Sequence, residues 1–341
     1  MINWFTPYEL LTYNALFNFI IGQRGGGKSF GTLKFCVDRY LKTGEQFILL
    51  RREQKELDDS KPTLFDALLK EGVITGHELY AKGDRLYCDG KVMGFAVALS
   101  TSMKKKSINY AGVAWIIFEE FMVDGINSRY LGRGDQEVTL FLNFYETVAR
   151  MRPKQPRVFF VANAFSTVNI YFTFFKVKIE PPFKRYQLFG QHLLVCIWSD
   201  DSYMEAKKET AFYQLIKDTG FAEHAYDNKF LLDSTHFIKK VKPKGMDFIF
   251  AIRYMDHIFS VFTDFAGGYY VTDKRGNANA KNTISLSLED NRPDNLNIRR
   301  VKNLPIMKVF RNSVDENKVY YNNLKTYQAL NEAIYLLRTI T

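Results

Sequence analysis

One stretch of eight residues limits what this chain can fold into more than any other. Gly22-Gln23-Arg24-Gly25-Gly26-Gly27-Lys28-Ser29 fits the pattern G-x-x-x-x-G-K-[ST]. Glycines let the backbone curl into a nest whose N–H groups cradle phosphate oxygens, and a helix starting at the lysine adds its positive end. Such a loop needs a buried strand before it and a helix after it. The apolar run from Asn14 to Ile21 reads as that strand, and Lys28 to Leu41 as that helix. All eight residues are expected to wrap the phosphates of ATP. Lys28 is expected to reach the β- and γ-phosphates, and Ser29 to ligate Mg²⁺.

Hydrolysis needs an acidic partner for this loop. Trp115-Ile116-Ile117-Phe118-Glu119-Glu120 is an apolar strand that ends in two carboxylates. Glu119 is expected to hold the metal, directly or through water, and Glu120 to orient and deprotonate the attacking water. Aspartate is the usual first residue of such a pair, and the extra methylene of Glu119 is long enough to place a water between it and the ion. Asn163 ends the run VFFVANA, where it either senses the γ-phosphate or forms a turn. Arg150 and Arg152 close a helix read over Glu137 to Met151. They either act as arginine fingers for a neighbouring subunit or compensate the helix dipole. Lys104-Lys105-Lys106 reads as a solvated loop. Met122 to Gly134 carries Arg129 and Arg133 among glycines and polar residues, which suits an element that grips DNA phosphates. Trp4, Phe5, Tyr8 and Tyr13 precede the loop, to stack on adenine or to pack in the core.

Phe47 to Leu50, Ala114 to Phe118 and Val158 to Ala162 are further short apolar strands, separated by helical stretches such as Lys61 to Glu71. That alternation predicts an α/β fold, a mostly parallel sheet with helices on both faces. Glu78 to Leu99 alternates as small antiparallel strands turning at Lys82-Gly83-Asp84 and Cys88-Asp89-Gly90. The texture changes near Ser199, and 341 residues, 46% of them hydrophobic, leave room for two cores. The expected division is an ATPase domain over 1–199, a helical linker over 200–225 and a smaller α+β domain over 226–341. The last is strand-rich from Lys229 to Thr272, turns at Met255-Asp256 and Gly267-Gly268, and closes with a helix over Asn323 to Arg338. Asp247, Asp256, Asp264 and Asp273 stand at its strand edges and turns without the clustering a metal nuclease needs, so cleavage is not expected.

Cys36, Cys88 and Cys196 form no C-x-x-C pair, which argues against a zinc site or disulfide framework and for a reducing cytoplasm. The opening residues carry Glu9 and no basic cluster, unlike a signal peptide, and no apolar run reaches membrane-spanning length. A net charge of +10, spread over both parts of the chain, favours polyanionic partners.

The segments FNFIIGQRGGGKS, GEQFILLRR, KSINYAGVAWIIFEEF, FYETVARMR and VANAFSTVNIYF follow one another between residues 13 and 175. In them the chain resembles the DNA-packaging ATPases of phi29-like tailed phages, a terminase-like branch of the ASCE P-loop proteins. The resemblance implies ATP-driven translocation of double-stranded DNA into a viral procapsid. It implies a homo-oligomeric ring, pentameric, at the portal vertex in the host cell cytoplasm, with a packaging RNA as scaffold. It also implies that Arg150 is a trans-acting arginine finger and Lys106 a second trans-acting basic residue. The family has a lysine two places after its paired arginines, where this chain has Gln54 followed by Lys55, and an aspartate where this chain has Glu119. Its second domain is a degenerate nuclease-like, RNase H-type fold. Three other functions compete: a large terminase with an active C-terminal metal nuclease, a P-loop kinase, and a nucleotide-binding switch without turnover, which would not need Glu120. The adjacent Glu119-Glu120 pair suits water activation better than the binding of a phosphoryl acceptor.

Overall fold

The computed structural model describes residues 3–330, except 106–107, 124–129, 133–134, 165–166, 168, 180–181, 218–237, 255–256, 287–289, 317 and 328. The chain divides into two compact units, Met1–Leu232 and Asp233–Thr341.

The first unit contains α1 (Tyr8–Leu11), β1 (Phe17–Gly22), α2 (Lys28–Thr43), β2 (Gln46–Arg51), α3 (Gln54–Ser60) and α4 (Asp66–Lys70). It continues with β3 (Leu79–Lys82), β4 (Arg85–Cys88), β5 (Lys91–Ala98), β6 (Val113–Glu119), α5 (Gln136–Ala149), β7 (Arg157–Asn163) and α6 (Ile170–Phe174). β8 (Tyr186–Phe189), β9 (Leu193–Trp198), α7 (Asp201–Lys208) and α8 (Ala211–Ile216) complete it. Nine strands form one sheet in the order β3-β4-β5-β2-β6-β7-β1-β9-β8. The six inner strands are parallel, and antiparallel pairing is confined to the edges, where β3-β4-β5 and β8-β9 are hairpins. β7 lies between the loop-bearing strand β1 and the acidic strand β6. That insertion defines the ASCE arrangement and fixes which strand ends meet.

Parallel strands must be covered on both faces, which is why they read as unbroken apolar runs rather than alternating ones. Phe19, Phe118, Phe141, Phe160 and Tyr171 fill one side, under α5 and α6. Phe19 and Phe160 stack across neighbouring strands with centroids 4.3 Å apart. Ile20, Phe35, Leu49, Trp115 and Phe159 fill the other, under α2. The hairpin turns fall where the sequence places them, with Gly83, Asp89 and Gly90 all at positive φ.

Several boundaries differ from the sequence reading, each for a local reason. β1 starts at Phe17, because Asn14 adopts a left-handed φ of 55° that breaks the extended run. Lys61 to Glu71 is not one helix: a 3₁₀ turn over Lys61–Thr63, with Pro62 inside it, precedes the short α4. α3, unforeseen, begins at a reciprocal capping box between Glu53 and Glu56. β9, also unforeseen, is wholly buried beside β1.

The second unit contains β10 (Asp247–Tyr254), β11 (His257–Thr263), β12 (Tyr269–Thr272), β13 (Thr283–Ser285), β14 (Leu296–Asn297), α9 (Ile298–Val301), α10 (Pro305–Asp315) and β15 (Val319–Tyr321). The sheet order is β14-β13-β10-β11-β12-β15. β10, β11 and β12 form an antiparallel meander, while β13 and β14 add in parallel on the β10 side. This is the order and direction of an RNase H-type sheet, with β15 as an added edge. Phe250, Ile252, Val261, Val271, Met307 and Phe310 form its core. Helix α10, started by Pro305 at its first position, was not foreseen. Of the terminal helix, residues 324–327 and 329–330 are helical, and its remainder lies outside the described residues. The turn at Met255-Asp256 also lies outside them.

Two of the aspartates raised as nuclease candidates serve turns. Asp264 accepts the backbone N–H groups of Ala266 and Gly268 at 2.9 Å each, and Asp273 accepts from the side chains of Asn322 and Asn323. Purified protein incubated with supercoiled plasmid and Mn²⁺ should therefore leave it intact. Nicking that disappears in Asp247→Ala would establish a working nuclease instead.

Candidate nucleotide site

Gly22 ends β1, and the chain then turns through Gly25 and Gly27, both at φ 81°, a conformation that strains any residue with a Cβ. Helix α2 follows directly. Its N-cap is Gly27, with no side-chain cap, and its first turn carries no acidic residue. The uncapped N–H groups and positive helix end thus face the hollow of the loop, which suits an anion. Ser29 is exposed at that end, as are Arg24 and Gly25 within the loop, and the Tyr203 hydroxyl donates to the Arg24 carbonyl at 3.2 Å. Gln23 is buried, with neither polar atom of its amide bonded to a described residue. An unpartnered buried amide is costly in a folded chain and fits a site completed by a polar ligand. Lys28 reaches back across the loop, donating to Gly22 O at 3.1 Å, Gln23 O at 2.6 Å and Asn163 Oδ1 at 3.4 Å. Burial pulls its ammonium down to about 8, against an opposing pull from Cys196.

Asn163 owes its place to sheet register. Gly22 on β1 pairs with Asn163 on β7, and Val161 pairs with Glu119 on β6. The ends of three adjacent strands thus present the loop, the amide and the carboxylates side by side. Glu119 is buried, whereas Glu120 is exposed and adopts φ 56°. A left-handed glutamate is a strained conformation that surrounding contacts must hold.

Those contacts come from residues to which sequence reasoning gave no role. Arg51, at the end of β2, bridges Glu119 at 2.7 Å and Glu120 at 3.1 Å. Arg52 next to it is fully buried against Glu137 of α5, with Nε to Oε2 at 2.8 Å and Nη2 to Oε1 at 3.1 Å. The same guanidinium donates to the carbonyls of Glu120 and Phe121. Two arginines after an apolar strand were visible in the sequence. That β2 neighbours β6 was not.

The remaining candidates are placed as follows. Arg150 is exposed and follows α5 at φ 44°. α5 and β7 run in opposite directions, so Arg150 stands near the start of β7, whereas Asn163 ends it. Seven strand residues span about 20 Å, which removes Arg150 from the phosphate loop of its own subunit. Arg152, by contrast, is spent on carbonyls: its guanidinium donates to those of Val148, Ala149, Ala111 and Val113. Of the aromatic residues, Phe5 is buried edge-on against Trp198. Trp4 is half exposed, tilted against Tyr203 beside the loop, while Tyr8 and Tyr13 pack on Phe35 and Tyr186. Lys106, Arg129 and Arg133 lie outside the described residues.

Residues 2–339 match the family described as podovirus DNA encapsidation protein (Gp16). The chain belongs to that family. It is 35% identical over 300 residues to the DNA packaging protein of Bacillus phage phi29, an overlap of 88% of this chain and 87% of that protein. Among solved structures it is similar to a chain of the bacteriophage phi29 viral genome packaging motor assembly. That match has 30% identity and a TM-score of 0.69 over 98% of this chain and 99% of the other. The N-terminal domain of the DNA packaging ATPase from bacteriophage phi29 matches at 36% identity. It covers 57% of this chain and 96% of that domain, with a TM-score of 0.52. The chain is accordingly an ATPase of the terminase-like class that powers DNA packaging, and it uses a nucleotide.

Proposed function

We propose that the chain hydrolyses ATP with Mg²⁺ at the junction of β1, β7 and β6, and that a homo-oligomeric ring of it drives double-stranded DNA through a portal into a procapsid. The observation that supports this most is the convergence of Lys28, Asn163, Glu119 and Glu120 at three adjacent strand ends. In this reading the backbone from Gly22 to Ser29 cradles the phosphates, and Lys28 moves from Gly22 O and Gln23 O onto phosphate oxygens. Ser29 and Glu119, the latter released from Arg51, would hold Mg²⁺, which would neutralise charge developing on the transferred phosphoryl group. Glu120 accepts the proton of the attacking water, once Arg51 gives up its contact with that carboxylate. Asn163, bonded to Lys28, is suited to register whether a γ-phosphate is present. Trp4, half exposed and lying against Gly27 of the loop, is the aromatic residue placed for the adenine.

The wider assembly is part of the same proposal. Arg150, exposed and remote from its own loop, suits a neighbouring subunit, with Lys106 assisting. Arg129 and Arg133 grip DNA phosphates. Residues 200–225 link the ATPase domain, 1–199, to a second domain, 226–341, that docks on other components. Those components are a packaging RNA and the portal, in the host cytoplasm, with five subunits in the ring. The test is the steady-state ATPase rate as a function of protein concentration and of double-stranded DNA. Specific activity should rise with both; a rate per subunit flat in both would overturn the ring reading.

Lys28 gives a pH test. Its folded value near 8 lies below the ordinary 10.5, and only the ammonium form attracts phosphate. ATP affinity in the nucleotide-free protein should therefore be complete below about pH 8. It should weaken as pH rises through that value, approaching about tenfold per unit. Lys28→Ala should bind ATP weakly at every pH and lose the slope. An unchanged slope in Lys28→Ala would assign the titration to another group.

A further inference from the structure

Residues 53 to 136 separate Arg52 from Glu137 in sequence, yet the two side chains form a fully buried ion pair in the first unit. Burying two charges is expensive unless each finds more hydrogen bonds, and here three of the four extra bonds lead to the two ends of the segment between β6 and α5. Arg52 donates to Glu120 O at 3.0 Å and Phe121 O at 2.8 Å. Glu137 accepts from the backbone N–H of Leu131 at 2.7 Å and from the Tyr171 hydroxyl at 2.9 Å. The Arg52 guanidinium also lies 5.3 Å from the ring centroid of Tyr130. Burial and the adjacent Glu137 push the Tyr171 hydroxyl well above its ordinary value, so it stays a donor. One charge pair therefore holds residues 120 and 121 on one side and residues 130 and 131 on the other. Between them runs the segment carrying Arg129. The pair also grips the peptide of Glu120, the residue left at φ 56°.

We propose that Arg52 and Glu137 are positioning residues for hydrolysis: as one buried pair they fix the backbone of Glu120 and tie both roots of the segment between β6 and α5. Neither touches the nucleotide. Arg52 sets where the Glu120 carboxylate points by holding the two carbonyls that follow its Cα, while Glu137 sets the distance between the roots. This inference rests on the reading of Glu120 as the general base.

The test compares the full-length double variant Arg52→Met/Glu137→Met with the parent. Removing both charges together avoids stranding one ion, although it also frees the polar groups the pair had bonded. The double variant should keep its thermal midpoint within a few degrees and its affinity for a fluorescent ATP analogue within about threefold. Its kcat should fall at least tenfold. A kcat within twofold of the parent in a folded double variant overturns the inference. Should the double variant not fold, Tyr171→Phe removes one bond to Glu137 without unpairing a charge. It should lower kcat two- to fivefold at unchanged affinity, and an unchanged kcat there overturns the inference equally. Glu120→Gln in parallel separates the two ideas. If it hydrolyses normally, the general-base reading fails, whereas if it is inactive while the double variant is active, only the positioning role fails.

Discussion

Glu120→Gln should bind ATP as tightly as the parent and hydrolyse it two to four orders of magnitude more slowly, the range expected when a positioned general base is lost. The amide keeps the size and hydrogen-bonding reach of the side chain but cannot take a proton from water. Its partner across 3.1 Å, Arg51, also loses the charge attraction that holds it there. Affinity is governed elsewhere, by the loop and Lys28, so binding and turnover should separate cleanly. Equilibrium binding of a fluorescent analogue and single-turnover hydrolysis measure the two. Near-normal turnover would move the base to Glu119, the other carboxylate on the strand end. That outcome would be a surprise on geometry, because Glu119 is buried and paired to Arg51 at 2.7 Å while Glu120 is exposed.

Arg150→Ala should likewise retain ATP binding and lose hydrolysis, by about three orders of magnitude or more if the guanidinium acts as an arginine finger. The diagnostic result is rescue in mixtures. An Arg150→Ala subunit keeps its own loop and Glu120, so a Glu120→Gln neighbour can lend it the missing arginine. Excess Glu120→Gln protein should therefore restore activity. Lys28→Ala mixed with Glu120→Gln should not recover, because every site then lacks a residue it needs in its own subunit. The structure adds a reason to choose Arg150 over Arg152. Arg152 is bonded to carbonyls at the ends of α5 and β6 and is needed there. Arg150 is exposed, about 20 Å from its own strand end. Absence of rescue in assemblies shown to be mixed would confine Arg150 to its own subunit or to capping its helix.

Local pattern sufficed for a good part of this molecule. The eight residues from Gly22 to Ser29 demand a strand, a nest and a helix because glycine conformation and helix termini are short-range physics. The apolar runs that became β1, β2, β6 and β7 were legible because buried parallel strands have no polar face. Where the run was short, interrupted or capped by an uncommon residue, as at α3 and α10, the pattern was too weak to read, whereas β9, LLVCIW, carries the same unbroken apolar signal as β1 and β2.

Strand neighbourhood belongs to the tertiary structure. Nothing near Asn163 in sequence says that it pairs with Gly22, and nothing near Arg51 says that Glu119 and Glu120 lie beside it. Both follow from β7 inserting between β1 and β6 and from β2 lying against β6. The pairing of Arg52 with Glu137 depends on the same order. Periodicity reports which residues are buried. Strand order is set by which faces pack best over crossovers tens of residues long, and that preference is summed over the whole core. The sequence thus determined which chemistry the chain carries, and the packing of its sheet decided which of those groups meet.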